Sequence, residues 1–296
     1  MESDTLDNPT IGPKQILKAA ACVGFLGAGA SSAARMMAIL CAPHVDDRDV
    51  ASVIKKEPAI CARVLRVANS TYYGQARVIS SLERALPVLG QDAVRGIAAA
   101  ACMCQAVTSR PPGDLLDIKA LLWHSLATAS AAESLARIRH ESLAAEAFIV
   151  GLLHNLGVVI QRQLDGPGID AMIRARQMDE SCEIRALESQ YAAIGHEECI
   201  ALILDAWQLP EALVAAVRHH HDPMAAPVAH RDLAGLVNLG AQLAVSSGCT
   251  FALEPVYGRC SARVLAHLEL SADDVDGVAL ELPERAARLG NALSAA

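Results

Sequence analysis

The most apolar long segment of the chain is Glu146 to Ile160, EAFIVGLLHNLGVVI, and one imidazole, His154, stands in its middle. Phe148, Leu152 and Val159 recur at helical spacing, as do Ile149, Leu153 and Ile160, which predicts a helix through the whole stretch. A buried imidazole has two ring nitrogens to satisfy and costs about 1–3 kcal/mol if one is left bare. The pattern therefore poses a question: whether His154 is paired with a metal ion, a ligand or another side chain.

Helical periodicity continues on both sides. A glycine-interrupted helix is expected between Pro13 and Cys41, and a helix from the acidic group Asp46, Asp47, Asp49 to Lys56, where the carboxylates suit the first turn. Pro58 suits the first turn of the next helix, which carries Ile60, Val64, Leu65 and Ala68 on one face. It ends in the turn-rich stretch Asn69–Gly74. Leu82, Ala85, Leu86 and Leu89 mark another helix, stopped by Gly90, and Asp92 is placed to cap an Ala-rich helix to about Val107. The prolines and glycine of Ser109–Asp114 form the clearest boundary. Beyond it the pattern predicts a helix with Trp123 and His124, a break at Asp165–Gly168, and a long helix from about Glu180 to Trp207. A helix from Pro210 to the His219-His220-His221 run, a helix Asp232–Ser246, and a loop with two short helices over 251–296 complete the chain. The fold class is all-α, in unequal parts: 13–108, 114–250 and a C-terminal extension 251–296.

Composition agrees: 53% of residues are hydrophobic but 3% aromatic, a balance that favours packed helices over sheet. The net charge of −8 argues against a duplex nucleic acid partner, which requires a basic footprint. Nine cysteines with no CxxC pair predict reduced core thiols and a cytoplasmic protein. The uncharged run between Lys18 and Arg35 is too short and too rich in Gly, Ala and Ser for a membrane span, and the acidic N-terminus is not a signal peptide. One local departure stands out: Lys55 to Arg95 holds seven basic residues against three acidic ones. Solvated helix faces are the bland explanation. The functional one is an anion- or partner-binding surface centred on Arg63, Arg66 and Asn69.

Two stretches resemble the HDOD family, the HD-related output domains of bacterial signalling. The first is Val53 to Gly90, with its Glu-Pro start, leucine-rich helix, Asn-Ser turn and Ala–Leu-Gly helix. The second runs through Leu122-Trp-His-Ser125, Gly151-Leu-Leu-His-Asn155, Gly195-His196, Trp207-Gln-Leu-Pro210 and His219-His220. The resemblance implies an all-helical fold, an N-terminal helical subdomain packed on an HD-like bundle, related to HD-type metal phosphohydrolases. It also implies a regulatory or output role without demonstrated enzymatic activity.

In the catalytic relatives a His, a His-Asp pair and a later Asp hold metal, often with further histidines. By that resemblance His124 matches the first His, His154 the His of the pair, and His196 with His219 or His220 the additional ones. Asn155 stands where the pair has Asp, and the later Asp position falls near Ala241, with Asn238 one turn away. Losing both carboxylates leaves neutral donors facing a dication. Such a set suits a borderline ion such as zinc better than the hard, carboxylate-bridged pair of a hydrolase. Glu188, Glu197 and Glu198, read as lying on the His196 helix, could compensate. The candidate pocket is thus His124, His154, Asn155, His196, His219 and His220. If a divalent metal is present, its ligands are His124, His154, His196 and His220. Three outcomes stay open: a hydrogen-bonded cluster, a bound metal without turnover, and a working hydrolase. The primary expectation is a non-catalytic regulatory module acting on a signalling protein in trans, of response-regulator, cyclase or phosphodiesterase type. The alternative is a metal-dependent phosphohydrolase or phosphodiesterase acting on a nucleotide.

Overall fold

The computed structural model describes residues 12–22, 36–42, 46–70, 78–108, 115–254 and 261–294. Most of the glycine-interrupted stretch before residue 36, the end of the Asn69–Gly74 turn, and the 109–114 boundary lie outside the described residues. The described residues contain no strand. Their α-helices are α1 (Pro13–Cys22), α2 (Asp47–Lys55), α3 (Pro58–Ala68), α4 (Leu82–Leu89), α5 (Gln91–Thr108), α6 (Ile118–Arg139), α7 (Ala144–Leu153) and α8 (Leu156–Leu164). There follow α9 (Gly166–Met178), α10 (Ile184–Tyr191), α11 (His196–Ala206), α12 (Glu211–Arg218), α13 (Arg231–Ser246), α14 (Ala262–His267) and α15 (Ala272–Ser294).

Helix α6 is the axis. Asp117 starts it by accepting the amide hydrogens of Lys119 and Ala120, and Arg137 and Arg139 lie in its last turn, where cations suit the carbonyl end of the helix dipole. Its middle, buried from Ser125 to Ala132, is built from Ala, Ser and Thr apart from Leu126, so three helices can approach it closely. These are α7, α13 and α15. The N-terminal layer is made by α3 and α4 packing on α5, and α5 on α7. Helix α15 crosses from α6 to α3 and α5, joining the C-terminal end of the chain to that layer.

Local chemistry explains the N-terminal helix ends. Asp46 caps α2 through the amide of Arg48, Pro58 opens α3, and Gly90 ends α4 at φ 85°, a backbone region that L side chains rarely adopt. Asp92 falls inside the first turn of α5 rather than at its cap.

Three further expectations require correction. The Glu146–Ile160 stretch is two helices, broken at His154 and Asn155. The Glu180–Trp207 stretch is also two, α10 and α11, separated by residues 192–195 with Ala192 extended. The segment after 251 ends in a short helix and a 23-residue one, not two short ones. In the first two cases apolar periodicity persists across the break because both halves face the same core, so the pattern alone does not reveal it.

Residues 141–164 are long and apolar enough to cross a membrane by length and composition, yet 83% of their most apolar window is buried inside the fold. They form its centre. None of the described cysteines 41, 61, 182, 199 and 249 forms a disulfide. Burial pushes the Cys199 thiol up to about 12, so it is a packing residue without thiolate chemistry.

The break at 154–155 lets α8 dock on the start of α11 with Gly157 as the contact. A Cβ at 157 would lie 2.1 Å from the carbonyl oxygen of His196, so the two backbones could not stay where they are. Gly157→Ala is therefore expected to cost about 2–4 kcal/mol by overpacking. Gly277→Ala, in the exposed interior of α15 with open space around it, should gain about 0.5–1 kcal/mol. Urea denaturation of both variants measures the contrast.

Candidate functional site

Five histidines gather where α6, α7, α11 and the end of α12 meet. His124, His154 and His196 are fully buried and His220 is 1% exposed. The rings form a chain: His124 lies 5.3 Å from His154, His154 5.0 Å from His220, and His220 5.2 Å from His196, measured between centroids. His221 completes it, 5.1 Å from His196.

Four of the five rings are oriented from behind. His124 Nδ1 is 2.9 Å from the carbonyl of Cys249, His154 Nδ1 2.7 Å from that of Gly151, and His220 Nδ1 2.7 Å from that of Val217. A carbonyl oxygen only accepts, so each Nδ1 carries the hydrogen and each Nε2 presents a lone pair inward. His196 Nδ1 lies 2.8 Å from the Glu188 carboxylate. The same Glu188 oxygen accepts the His196 backbone N–H at 2.7 Å and the Gln161 amide at 2.7 Å. The gap between α10 and α11 is what allows Glu188 to fold back onto the start of α11. Glu188 therefore does not lie on the His196 helix, as the sequence suggested.

The Nε2 atoms meet in front. His124 Nε2 is 3.3 Å from His154 Nε2, and His196 Nε2 is 3.3 Å from His220 Nε2 and 3.2 Å from His221 Nε2. Two lone pairs at that separation repel unless a proton or a cation lies between them. Asn155 relieves one contact by donating from Nδ2 to His154 Nε2 at 2.8 Å and to Glu254 Oε2 at 2.9 Å. Its Oδ1 is buried without a hydrogen-bond partner. Asn238 donates to the His220 carbonyl at 2.7 Å and accepts from Gln242 at 2.6 Å, and Ala241 is buried beside them. Asn238, one turn before Ala241, thus braces the turn at His220 with its amide.

Two donor groups result, His124–His154–Glu254 and His196–His220–His221, with the ligand atoms of each within 4.8 Å of one another. Imidazole nitrogens and a carboxylate suit zinc-class ions. Outward Nδ1–H groups held by carbonyls or a carboxylate are the usual support of metal-bound histidines. The residues present fit a divalent cation.

The structure brings together His124, His154, Asn155, His196 and His220. His219 is half-buried and in neither donor group; His221 turns inward in its place. Nothing in a run of three histidines tells which ones face the core. Glu254 was missed altogether, because it lies on an irregular segment after α13 with no motif around it. The Asn69 amide, read as part of a partner surface, bonds the backbone of Ile79 through both its N–H and its carbonyl. Arg95 is buried against the carbonyls of Leu40 and Ala42. Arg63 and Arg66 remain half-buried on α3. His140 and His267 both turn to Asp232, at 3.6 and 2.9 Å.

The fold is that of an all-helical, HD-like domain whose interior holds a histidine cluster. A match to the HDOD domain family extends over residues 26–223, and the chain belongs to that family. Among solved structures it is similar to a candidate signal-transduction protein from Marinobacter aquaeolei VT8 (TM-score 0.74, 21% identity, covering 100% of this chain and 69% of that one). It is also similar to a candidate phosphohydrolase from Shewanella amazonensis SB2B (0.72, 21%, 95% and 98%). An HDOD domain protein of unknown function from Geobacter sulfurreducens is a third (0.70, 22%, 95% and 96%). These likenesses show the fold. An uncharacterized protein of Treponema pallidum (strain Nichols) is 24% identical over 197 residues, 66% of this chain, and the chain spans 37% of that relative's length.

Burial holds His154, His220 and His221 well below the ordinary imidazole value of 6.5, with neighbouring histidines adding to the effect. Burial would also depress His196, but the charge and hydrogen bond of Glu188 outweigh it and raise His196. For the three depressed groups the unfolded chain binds more protons below about pH 6.5, so their contribution to stability is complete above that pH and lost as pH falls. His196 contributes oppositely: its stabilisation is complete below 6.5 and lost as pH rises through its raised value. Three groups outweigh one on the acid side. Metal-free protein should lose at least about 1 kcal/mol of unfolding free energy per pH unit below 6.5, read by urea titration in the presence of chelator.

Proposed function

We infer that this chain is a non-catalytic signal-transduction module that acts through contact with another signalling protein, and that its histidine cluster is a regulatory site. The observation that carries this reading is the closure of the His124–His154–Glu254 group: His124 and His154 have no exposed surface and Glu254 3%, while in the other group His196 and His220 are buried and His221 is half-buried. A hydrolytic metal centre needs a coordination position open to water and substrate. The described cavities of about 480 and 670 Å³ lie elsewhere, one between α6 and α15 at Glu133, Arg137 and Arg285, the other between α2 and α4 at Ala51 and Leu86.

In this reading the subdomain of residues 13–108 is the contact layer and the bundle of 114–250 holds the pocket. The extension 251–296 links them through α15. When bound, a divalent ion would be held by His124, His154 and Glu254 or by His196, His220 and His221, where it supplies positive charge that matches the converging lone pairs. The partner is a cytoplasmic response regulator, cyclase or phosphodiesterase, met through the α3 face that bears Arg63 and Arg66. The side chains of Val78 and Val88, 79% and 52% exposed in the same layer, are consistent with a surface covered by protein.

One observation favours the hydrolase reading: two donor groups stand side by side, as a two-ion centre requires. Against it, Asn155 stands where the resemblance to hydrolases places the aspartate of the His-Asp pair, and the two groups hold a single carboxylate, Glu254, between them.

Two outcomes are expected. Purified protein with Mn²⁺ should show no hydrolysis of nucleoside phosphates or cyclic dinucleotides above the His154→Ala background; turnover that disappears in that variant would replace the signalling reading with the hydrolase one. Arg63→Glu/Arg66→Glu should lose at least about tenfold in affinity for the signalling partner captured from the native host, the consequence of reversing two charges at an interface. Unchanged binding, read by calorimetry or pull-down, would move the contact surface elsewhere.

A further inference from the structure

Resting on the cation-site reading above and deepening it, we propose that Glu254 is the carboxylate ligand of the cluster. The cation is then held by His124, His154 and Glu254, and the segment 247–254 closes over it. Glu254 lies beyond residues 26–223 that the family match covers. It supplies, from an irregular segment, the charge that Asn155 and Ala241 lack on the helices.

Three observations support this. The first is position: Glu254 Oε2 is 3.5 Å from His124 Nε2 and 2.9 Å from the Asn155 Nδ2 that also reaches His154 Nε2. Arg176, the buried guanidinium nearby, bonds the backbone carbonyl of Glu254 at 3.1 Å and that of Cys182 at 3.0 Å. It thus anchors the segment to α9 and leaves the carboxylate turned toward the imidazoles. A carboxylate removed from water is costly unless positive charge meets it. As ligands, two imidazoles and one carboxylate bring one negative charge to a cation, so a dication is better matched here than among the three imidazoles of the other group.

The second is the shared segment. The Cys249 carbonyl that orients His124 belongs to the same stretch as Glu254, and the Phe251 ring packs 5.5 Å from the His124 ring. One loop orients one ligand and supplies another.

The third is Asn155. Both hydrogens of its amide are used on His154 and Glu254, while its Oδ1 is buried without a partner. The amide fills the meeting point of the three ligands with hydrogens that a cation would replace. Turned over, it presents an oxygen suited to a cation and unsuited to two bare acceptors.

The test uses the full chain stripped of metal, titrated with Zn²⁺ and separately with Co²⁺. The variants are wild type, Glu254→Gln and the double variant Glu254→Gln/Asn155→Asp, with circular dichroism checking the fold. Wild type is expected to bind zinc and to give a Co²⁺ visible spectrum of low coordination number. Glu254→Gln should weaken zinc binding by about 100-fold or more, the upper end of what losing even an outer partner costs, and alter the Co²⁺ spectrum. The carboxylate introduced at position 155 should recover much of the affinity, which a merely structural role for Glu254 would not produce. In wild type, zinc should protect the amides of 247–254 from hydrogen exchange. Wild type that binds neither metal removes the cation reading and the Glu254 assignment together. Equal affinity and an unchanged spectrum in Glu254→Gln keep the cation reading and overturn the assignment. Should Glu254→Gln fail to fold, the absence of zinc-dependent protection over 247–254 in wild type overturns it on its own.

Discussion

The constraint on which this structure depends is that imidazole hydrogens are taken up on the outside of the cluster. Backbone carbonyls of Cys249, Gly151 and Val217, and the Glu188 carboxylate, hold the Nδ1 atoms of His124, His154, His220 and His196. Once those hydrogens point outward, the Nε2 lone pairs must converge, and a buried convergence of lone pairs calls for a proton, an amide hydrogen or a cation. Asn155 meets that need at one contact, and at His196 the Glu188 carboxylate raises the imidazole above its ordinary value and so favours a proton there. The electrostatics of the core is therefore set by who supplies hydrogens to a few nitrogens.

The helices are cut to serve this arrangement. The break at His154–Asn155 frees the Asn155 amide to reach forward, and the gap at 192–195 lets Glu188 return to the first residue of α11. Gly157, with its backbone against His196, holds the two broken elements together. Each interruption loses helical hydrogen bonds and recovers them in contacts with the cluster: the His154 ring bonds the Gly151 carbonyl and the His196 amide bonds Glu188. In an apolar interior such exchanges are tolerated only where every polar group finds a partner. Two oxygens of this network, Asn155 Oδ1 and Gln161 Oε1, are buried exceptions.

The way the chain closes on itself suggests how the pocket could be heard elsewhere. The segment carrying Cys249 and Glu254 precedes α14 and α15, and α15 lies on α6 while touching α3 and α5. In the regulatory reading proposed above, a change in what occupies the cluster would bear on that segment, and α15 is the helix shared by α6 and the N-terminal layer. This gives physical content to a regulatory role, since coupling needs an element that both sites bias.

Much was determined by the sequence alone. Apolar spacing and the scarcity of aromatic residues implied an all-helical fold, Pro58 and Gly90 marked helix ends through backbone geometry, and His124, His154 and His196 were identifiable through an ordered series of motifs. The tertiary structure decided what periodicity cannot express. A core-facing pattern looks the same whether a helix continues or breaks, so the interruptions at 154–155 and 192–195 were invisible. Three consecutive histidines differ only in the direction the chain turns after α12, so the exchange of His219 for His221 awaited the fold. Glu254 is 100 residues from His154 along the chain and on no regular element. Its place beside the imidazoles is set by the Arg176 anchor and the path of the chain after α13. Local chemistry could name the histidines, but only long-range packing could say which carboxylate faces them.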